Sequence, residues 1–134
     1  MLLATIPFLR FLSIVHAQRI VWHDEFNGTR LDPLKWTYDV GSLNVNNELE
    51  YYQPFNVWLN GAGQLVITAR AEPAGPNGLF NYTSGRIHTQ NLVAVQYGRV
   101  EARLKVPMVA GLWPAFWMQL RPRRHGWCAL ATVW

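Results

Sequence analysis

The sequence predicts an all-β fold, a sandwich or barrel built from antiparallel pairs, and three observations predict it. Short runs rich in β-branched and aromatic residues recur along the chain, punctuated by Gly, Pro and Asn. One run, Gly98 to Val106, alternates apolar and charged side chains at the period of a strand. Nowhere does a helical period persist for about ten residues. The chain has 134 residues, enough for one domain and no more. Half of it is apolar and 15% is charged, the balance of a chain that buries a core rather than a disordered one.

Taken in order, Met1 to Ala17 reads as a signal peptide. Leu2 to Phe8 and Phe11 to Val15 are apolar, and Val15-His16-Ala17 fits a small-x-small cleavage site before Gln18. Arg10 interrupts the run, and a buried first strand or helix is the alternative. The stretch is too short to span a bilayer, so no membrane span is expected. Secretion is the expected localisation. Two Asn-x-Thr triplets, at Asn27 and Asn81, are the glycosylation sites that fit it. The single Cys128 offers no internal disulfide.

Gln64 to Arg70 is a short β-rich run after the turn signal Asn60-Gly61-Ala62-Gly63. Ala71 to Asn81 holds Pro73, Gly75, Pro76, Asn77 and Gly78 and reads as a surface loop. Ser84 to Thr89 and Leu92 to Tyr97 are further short extended candidates. In Gly98 to Val106, Val100, Ala102, Leu104 and Val106 share one face, and Arg99, Glu101, Arg103 and Lys105 the other. No internal repeat or linker divides the chain. The net charge is +4, partly from the cluster Arg121, Arg123 and Arg124. No basic stripe interleaved with aromatics accompanies it, so nucleic acid is not an expected partner. Seven tryptophans are more than a core of this size ordinarily holds.

Several segments, read in order, resemble one known pattern. Val21-Trp22-His23-Asp24-Glu25-Phe26-Asn27-Gly28 resembles a W-x-D-E-F-N-G opening, and Leu31-Asp32-Pro33-Leu34-Lys35-Trp36 its continuation. Asn46-Asn47-Glu48-Leu49-Glu50-Tyr51-Tyr52, Leu65 to Ala69 and Tyr82-Thr83-Ser84-Gly85-Arg86-Ile87 follow. Tyr97 to Pro107 and Gly111-Leu112-Trp113-Pro114-Ala115-Phe116-Trp117-Met118 are the strongest matches. Together they are similar to glycoside hydrolase family 16, in its laminarinase-like members, over Ile20 to Met118.

The resemblance implies a β-sandwich jelly roll of the concanavalin A-like lectin and glucanase type, incomplete in this chain. The N-terminal part of that domain takes in residues 18–118, with a divergent tail over 119–134. It implies retaining hydrolysis of β-1,3- or mixed-linkage β-glucans, a β-glucan partner, no required cofactor and a monomer when the domain is complete. A sugar ring packs its C–H face on an indole while its rim hydroxyls find hydrogen bonds. By resemblance Trp113 and Trp117 line the cleft, with Asn46 and Arg86 as hydroxyl-binding groups. The alternatives are core-filling tryptophans, a turn-forming Asn and a surface Arg. Glu25 is the candidate ligand, in an incomplete set, for a structural calcium ion.

Retaining cleavage needs two carboxyl groups about 5–5.5 Å apart. The family supplies them from an E-x-D-x-x-E strand after the W-P-A-F-W-M segment. Here Gly126-Trp127 resembles the G-W before that strand, but beyond Glu101 the sequence has no Asp or Glu. The tail reads as an altered frame, a retained intron or a truncated gene model, and no catalytic residue is assigned. Glu48 and Glu50, at i and i+2, share a strand face but nothing brings them to a sugar. His88 and His125 lack an identifiable metal or nucleophile partner, and Ser84 has no nucleophile-elbow context. Three readings stand: an enzyme whose catalytic half is absent here, a non-catalytic glucan-binding protein, and a fragment without function.

Overall fold

The structure is a computed structural model that describes residues 19–120 and 127–133, with Leu120 and 127–133 described by backbone alone. The leader Met1 to Ala17 lies outside the described residues. Among the described residues nine strands run in chain order: β1 (Thr37–Tyr38), β2 (Glu50–Tyr52), β3 (Val57–Leu59), β4 (Leu65–Ile67), β5 (Arg70–Ala74), β6 (Phe80–Ser84), β7 (Arg86–His88), β8 (Pro114–Leu120) and β9 (Trp127–Val133). The described helical residues are confined to single 3₁₀ turns at Pro54–Asn56 and Pro76–Gly78, each opened by a proline whose missing N–H is not needed there. No described helix is long and apolar enough to cross a membrane. The all-β expectation holds.

The strands form a four-stranded sheet ordered β1-β7-β9-β8, a three-stranded sheet β2-β6-β5 and the hairpin β3-β4. Pairing is antiparallel except between β2 and β6, which run parallel. That corrects the expectation of antiparallel pairs throughout. The core lies between β7 and the hairpin. Leu31, Trp36, Val57 and Ile87 are buried together, and Trp22, Phe26, Tyr38, Leu59, Leu65 and Ile67 pack on them. Gly85 makes this approach possible. A Cβ there would overlap Val57 Cγ2 and lie 3.1 Å from Ile67 Cγ2. The opening segment is tied down by Asp24, whose carboxylate accepts from the Phe26 N–H and from Trp36 Nε1–H, both at 2.9 Å.

Three local expectations are corrected. The stretch read as a loop from Ala71 to Asn81 contains most of β5 and the start of β6. Pro73 is tolerated because β5 is an edge strand, and the register shifts between Ala71 and Ala74 as at a β-bulge. Leu92 to Tyr97 begins as a turn on Thr89, with the Leu92 and Val93 N–H groups donating to the Thr89 carbonyl. Gly98 to Val106 alternates as read, yet it forms no ladder among the described residues and is exposed throughout. Alternation sorts side chains onto two faces, but a strand also needs a neighbour for its backbone groups, and none of the described segments provides one. Conversely, the tail left without an element contains β9, which pairs along its whole length with β8.

Candidate functional site

The site is built on β7 and β8, with β9 between them. Register pairs Arg86 with Thr132 and Thr132 with Ala115; one step on, His88, Leu130 and Trp117 stand in a row. Alternation then turns Ile87 to the core and leaves Arg86, Ala115, Trp117 and Gln119 on the other face. They line a cleft of about 580 Å³ together with Val45, Asn46 and Trp113. The four residues singled out by resemblance, Asn46, Arg86, Trp113 and Trp117, thus meet at one cleft. Neither tryptophan belongs to the buried core cluster. Trp113 is 64% exposed, whereas Trp117 is half-buried, with its Nε1–H lacking a hydrogen-bond partner among the described residues.

Arg86 is neither a loose surface side chain nor a solitary cation. Its guanidinium carbon lies 5.4 Å from the Trp117 ring centroid and 5.9 Å from that of Tyr52, at cation–π range of both. Its Nε sits 2.9 Å from Asp39 Oδ2. The backbone brings them together, since the Asp39 N–H donates to the Arg86 carbonyl at 3.0 Å where β1 ends. The other carboxylate oxygen of Asp39 lies 3.5 Å from His88 Nε2. His88 Nδ1 accepts from the Gln90 N–H at 3.2 Å, which leaves Nε2 as the donor toward Asp39. Burial by itself raises the Asp39 carboxyl, but the hydrogen bond and charge of His88 and the Arg86 guanidinium together hold it below its ordinary 3.8.

Asn46 comes from the loop between β1 and β2. Gly41 and Tyr52 bridge the base of that loop through a reciprocal pair of 3.0 Å backbone bonds. Asn44, Asn46 and Asn47 take left-handed φ values of 52°, 53° and 57°, which Asn tolerates better than most residues. Asn46 Nδ2 donates to Glu48 Oε1 at 3.1 Å. The Tyr52 hydroxyl lies 3.1 Å from Glu48 Oε2 and 2.8 Å from Glu50 Oε1. Glu48 and Glu50 therefore converge on a fully buried phenol, and neither lines the cleft.

Other candidates fall elsewhere. Glu25 is exposed and pairs with His23 at 3.5 Å, beside a cavity of about 330 Å³ that Arg30 and Lys35 also line. Asp24 is occupied by protein donors and lies 3.8 Å from Lys35 Nζ. Among the described residues no group of three or more metal-ligating side chains forms around Glu25, whose surroundings here are His23 and the cations Arg30 and Lys35. Asn27 and Asn81 are both exposed, whereas Ser84 is buried. His125 lies outside the described residues. Sequence reading missed Asp39 and Tyr52, which touch Arg86, and Val45, Ala115 and Gln119 in the wall. The period-two spacing around Trp117 could have found Ala115 and Gln119; no local signal marks Asp39.

The fold and the site define an all-β protein with an aromatic and cationic cleft across one sheet. The family model "Glycosyl hydrolases family 16" matches residues 35–126. The chain belongs to glycosyl hydrolase family 16, whose solved members supply the jelly-roll frame of which this chain covers part. It is 36% identical over 135 residues to glucan endo-1,3-beta-glucosidase A1 of Niallia circulans, covering 89% of this chain and 20% of that protein. The laminarinase from Rhodothermus marinus superposes with a TM-score of 0.67 at 41% identity, covering 78% of this chain and 42% of that one. A beta-1,3-glucan-binding protein of Penaeus monodon is 46% identical over 52 residues, which is 38% of this chain and 14% of that protein. The chain spans less than half the length of each.

Proposed function

We propose that this chain provides a β-glucan-binding cleft of the family 16 type, for β-1,3- or mixed-linkage glucan, and that the 134 residues themselves bind glucan without cleaving it. The observation that supports it most is the meeting of Asn46, Arg86, Trp113 and Trp117 along one cleft. An exposed indole offers an apolar face to a sugar ring, while Arg86 and Asn46 offer hydrogen bonds to its hydroxyls. In a complete domain of the family such a cleft would hold the glucan for hydrolysis, the activity that the names of the glucosidase and laminarinase state for those proteins. Hydrolysis with retention requires a carboxyl pair. β8, which supplies Ala115, Trp117 and Gln119 to the cleft, and its neighbour β9 contain neither Asp nor Glu in their sequences. The similarity to a protein named for binding β-1,3-glucan supports the binding part of this reading. Action outside the cell is part of the same proposal, supported by the leader-like Met1 to Ala17 and by exposed Asn27 and Asn81.

Affinity electrophoresis in laminarin gels, beside a reducing-sugar assay, tests this. The expected result is retardation that Trp113→Ala or Trp117→Ala each weakens by about three- to tenfold, with no sugar released. Unretarded migration, or reducing sugar above a heat-treated control, would overturn it.

A further inference from the structure

We infer that Glu48 is a positioning residue of the glucan cleft: its carboxylate is a strut that ties the Asn46 amide to the buried Tyr52 hydroxyl. The inference rests on the glucan-binding reading above and names a residue that the resemblance left without a role.

The geometry carries it. Asn46 is exposed on a left-handed turn, where an amide is ordinarily free to rotate. Here its Nδ2 donates to Glu48 Oε1 at 3.1 Å, so rotation of the amide is restrained. The other oxygen of the same carboxylate lies 3.1 Å from the Tyr52 hydroxyl, whose single proton is shared between Glu48 and Glu50 Oε1 at 2.8 Å. Tyr52 is fully buried, belongs to β2 and is bridged by backbone bonds to Gly41 at the base of the loop. A core phenol thereby anchors a surface amide through one carboxylate. With one Nδ2 hydrogen held by Glu48, Asn46 keeps its Oδ1 as an acceptor and its second Nδ2 hydrogen as a donor for sugar hydroxyls. The Tyr52 ring also faces the Arg86 guanidinium, so the same buried residue steadies both polar groups of the cleft. Glu48 does not itself line the cleft, so the carboxylate acts on the ligand through Asn46.

A double-mutant cycle on the full chain tests this, with laminarihexaose as the probe and titration calorimetry as the readout. Glu48→Ala is expected to weaken binding about fivefold, the worth of one lost hydrogen bond, and Glu48→Gln, which keeps an acceptor for Nδ2, to bind within about twofold of the unaltered chain. Asn46→Ala with Glu48→Ala together should bind no worse than Asn46→Ala alone. The Asn46 side-chain amide protons should shift in the NMR spectrum of Glu48→Ala even without ligand. If Glu48→Ala does not fold, Tyr52→Phe, which keeps the ring and removes the anchor, is expected to give the same amide shift. Losses that multiply in the double variant, or unaltered Asn46 amide signals, would overturn the strut. Failure of the unaltered chain to bind laminarihexaose, with the amide shifts present, would instead sink the glucan reading and the binding role while leaving the tether intact.

Discussion

At the residue scale, the chemistry of the cleft depends on partners that stand behind it. Arg86 presents its charge between two aromatic rings because Asp39 holds its Nε. Asp39→Asn keeps the volume but removes the charge, leaving Arg86 and His88 without their shared counter-ion. Glucan affinity is expected to fall about fivefold, measured by the same calorimetry. The carboxyl of Asp39 is depressed in the folded chain, so its stabilisation is present above the ordinary value of 3.8 and is lost as pH falls through the depressed one. Denaturant melts of the two proteins should therefore differ at neutral pH and converge as the pH drops below 3.8. A gap that is constant down to the most acidic pH would show that Asp39 does not act through its charge. Trp113, Trp117, Asn46 and Arg86 could be picked out from sequence because motif and residue type mark them. Asp39 and Tyr52 could not, because their roles come from a contact across strands.

At the element scale, the approach of the β3-β4 hairpin to β7 depends on Gly85. A methyl group there meets Val57 Cγ2 and Ile67 Cγ2, and the Asn56 carbonyl lies 3.3 Å away. Gly85→Ala is expected to destabilise the fold by about 1–3 kcal/mol through overpacking, read as a lower denaturant midpoint. An unchanged midpoint would mean that the hairpin moves aside freely. β-periodicity also met its limit at this scale. Gly98 to Val106 has the cleanest alternation in the sequence and forms no ladder, whereas β5 carries Pro73 and does. Side-chain pattern records which face a residue prefers; a ladder depends on whether a second strand edge is there to bond with.

At the scale of the whole molecule, a long apolar-bearing segment lies open. Tyr97, Leu104, Val106, Met108 and Val109 are all exposed, Met108 to 95%. Exposed apolar side chains gathered on one segment favour association. The isolated chain is expected to bind the dye ANS and to scatter light increasingly with concentration. A monodisperse monomer that leaves ANS dark would show that this surface is covered in solution. The sequence by itself determined the all-β class, which follows from residue type and short-range spacing, local properties of the chain; the family and the four side chains of the cleft came from the resemblance of its ordered motifs to a known pattern. Only the tertiary structure decided that β2 and β6 run parallel, that the tail enters the sheet as β9 between β7 and β8, and that Asp39 and Tyr52 stand behind Arg86. The physical reason is the same in every case: strand partners and buried polar partners are chosen across long sequence separations, where no local pattern records them.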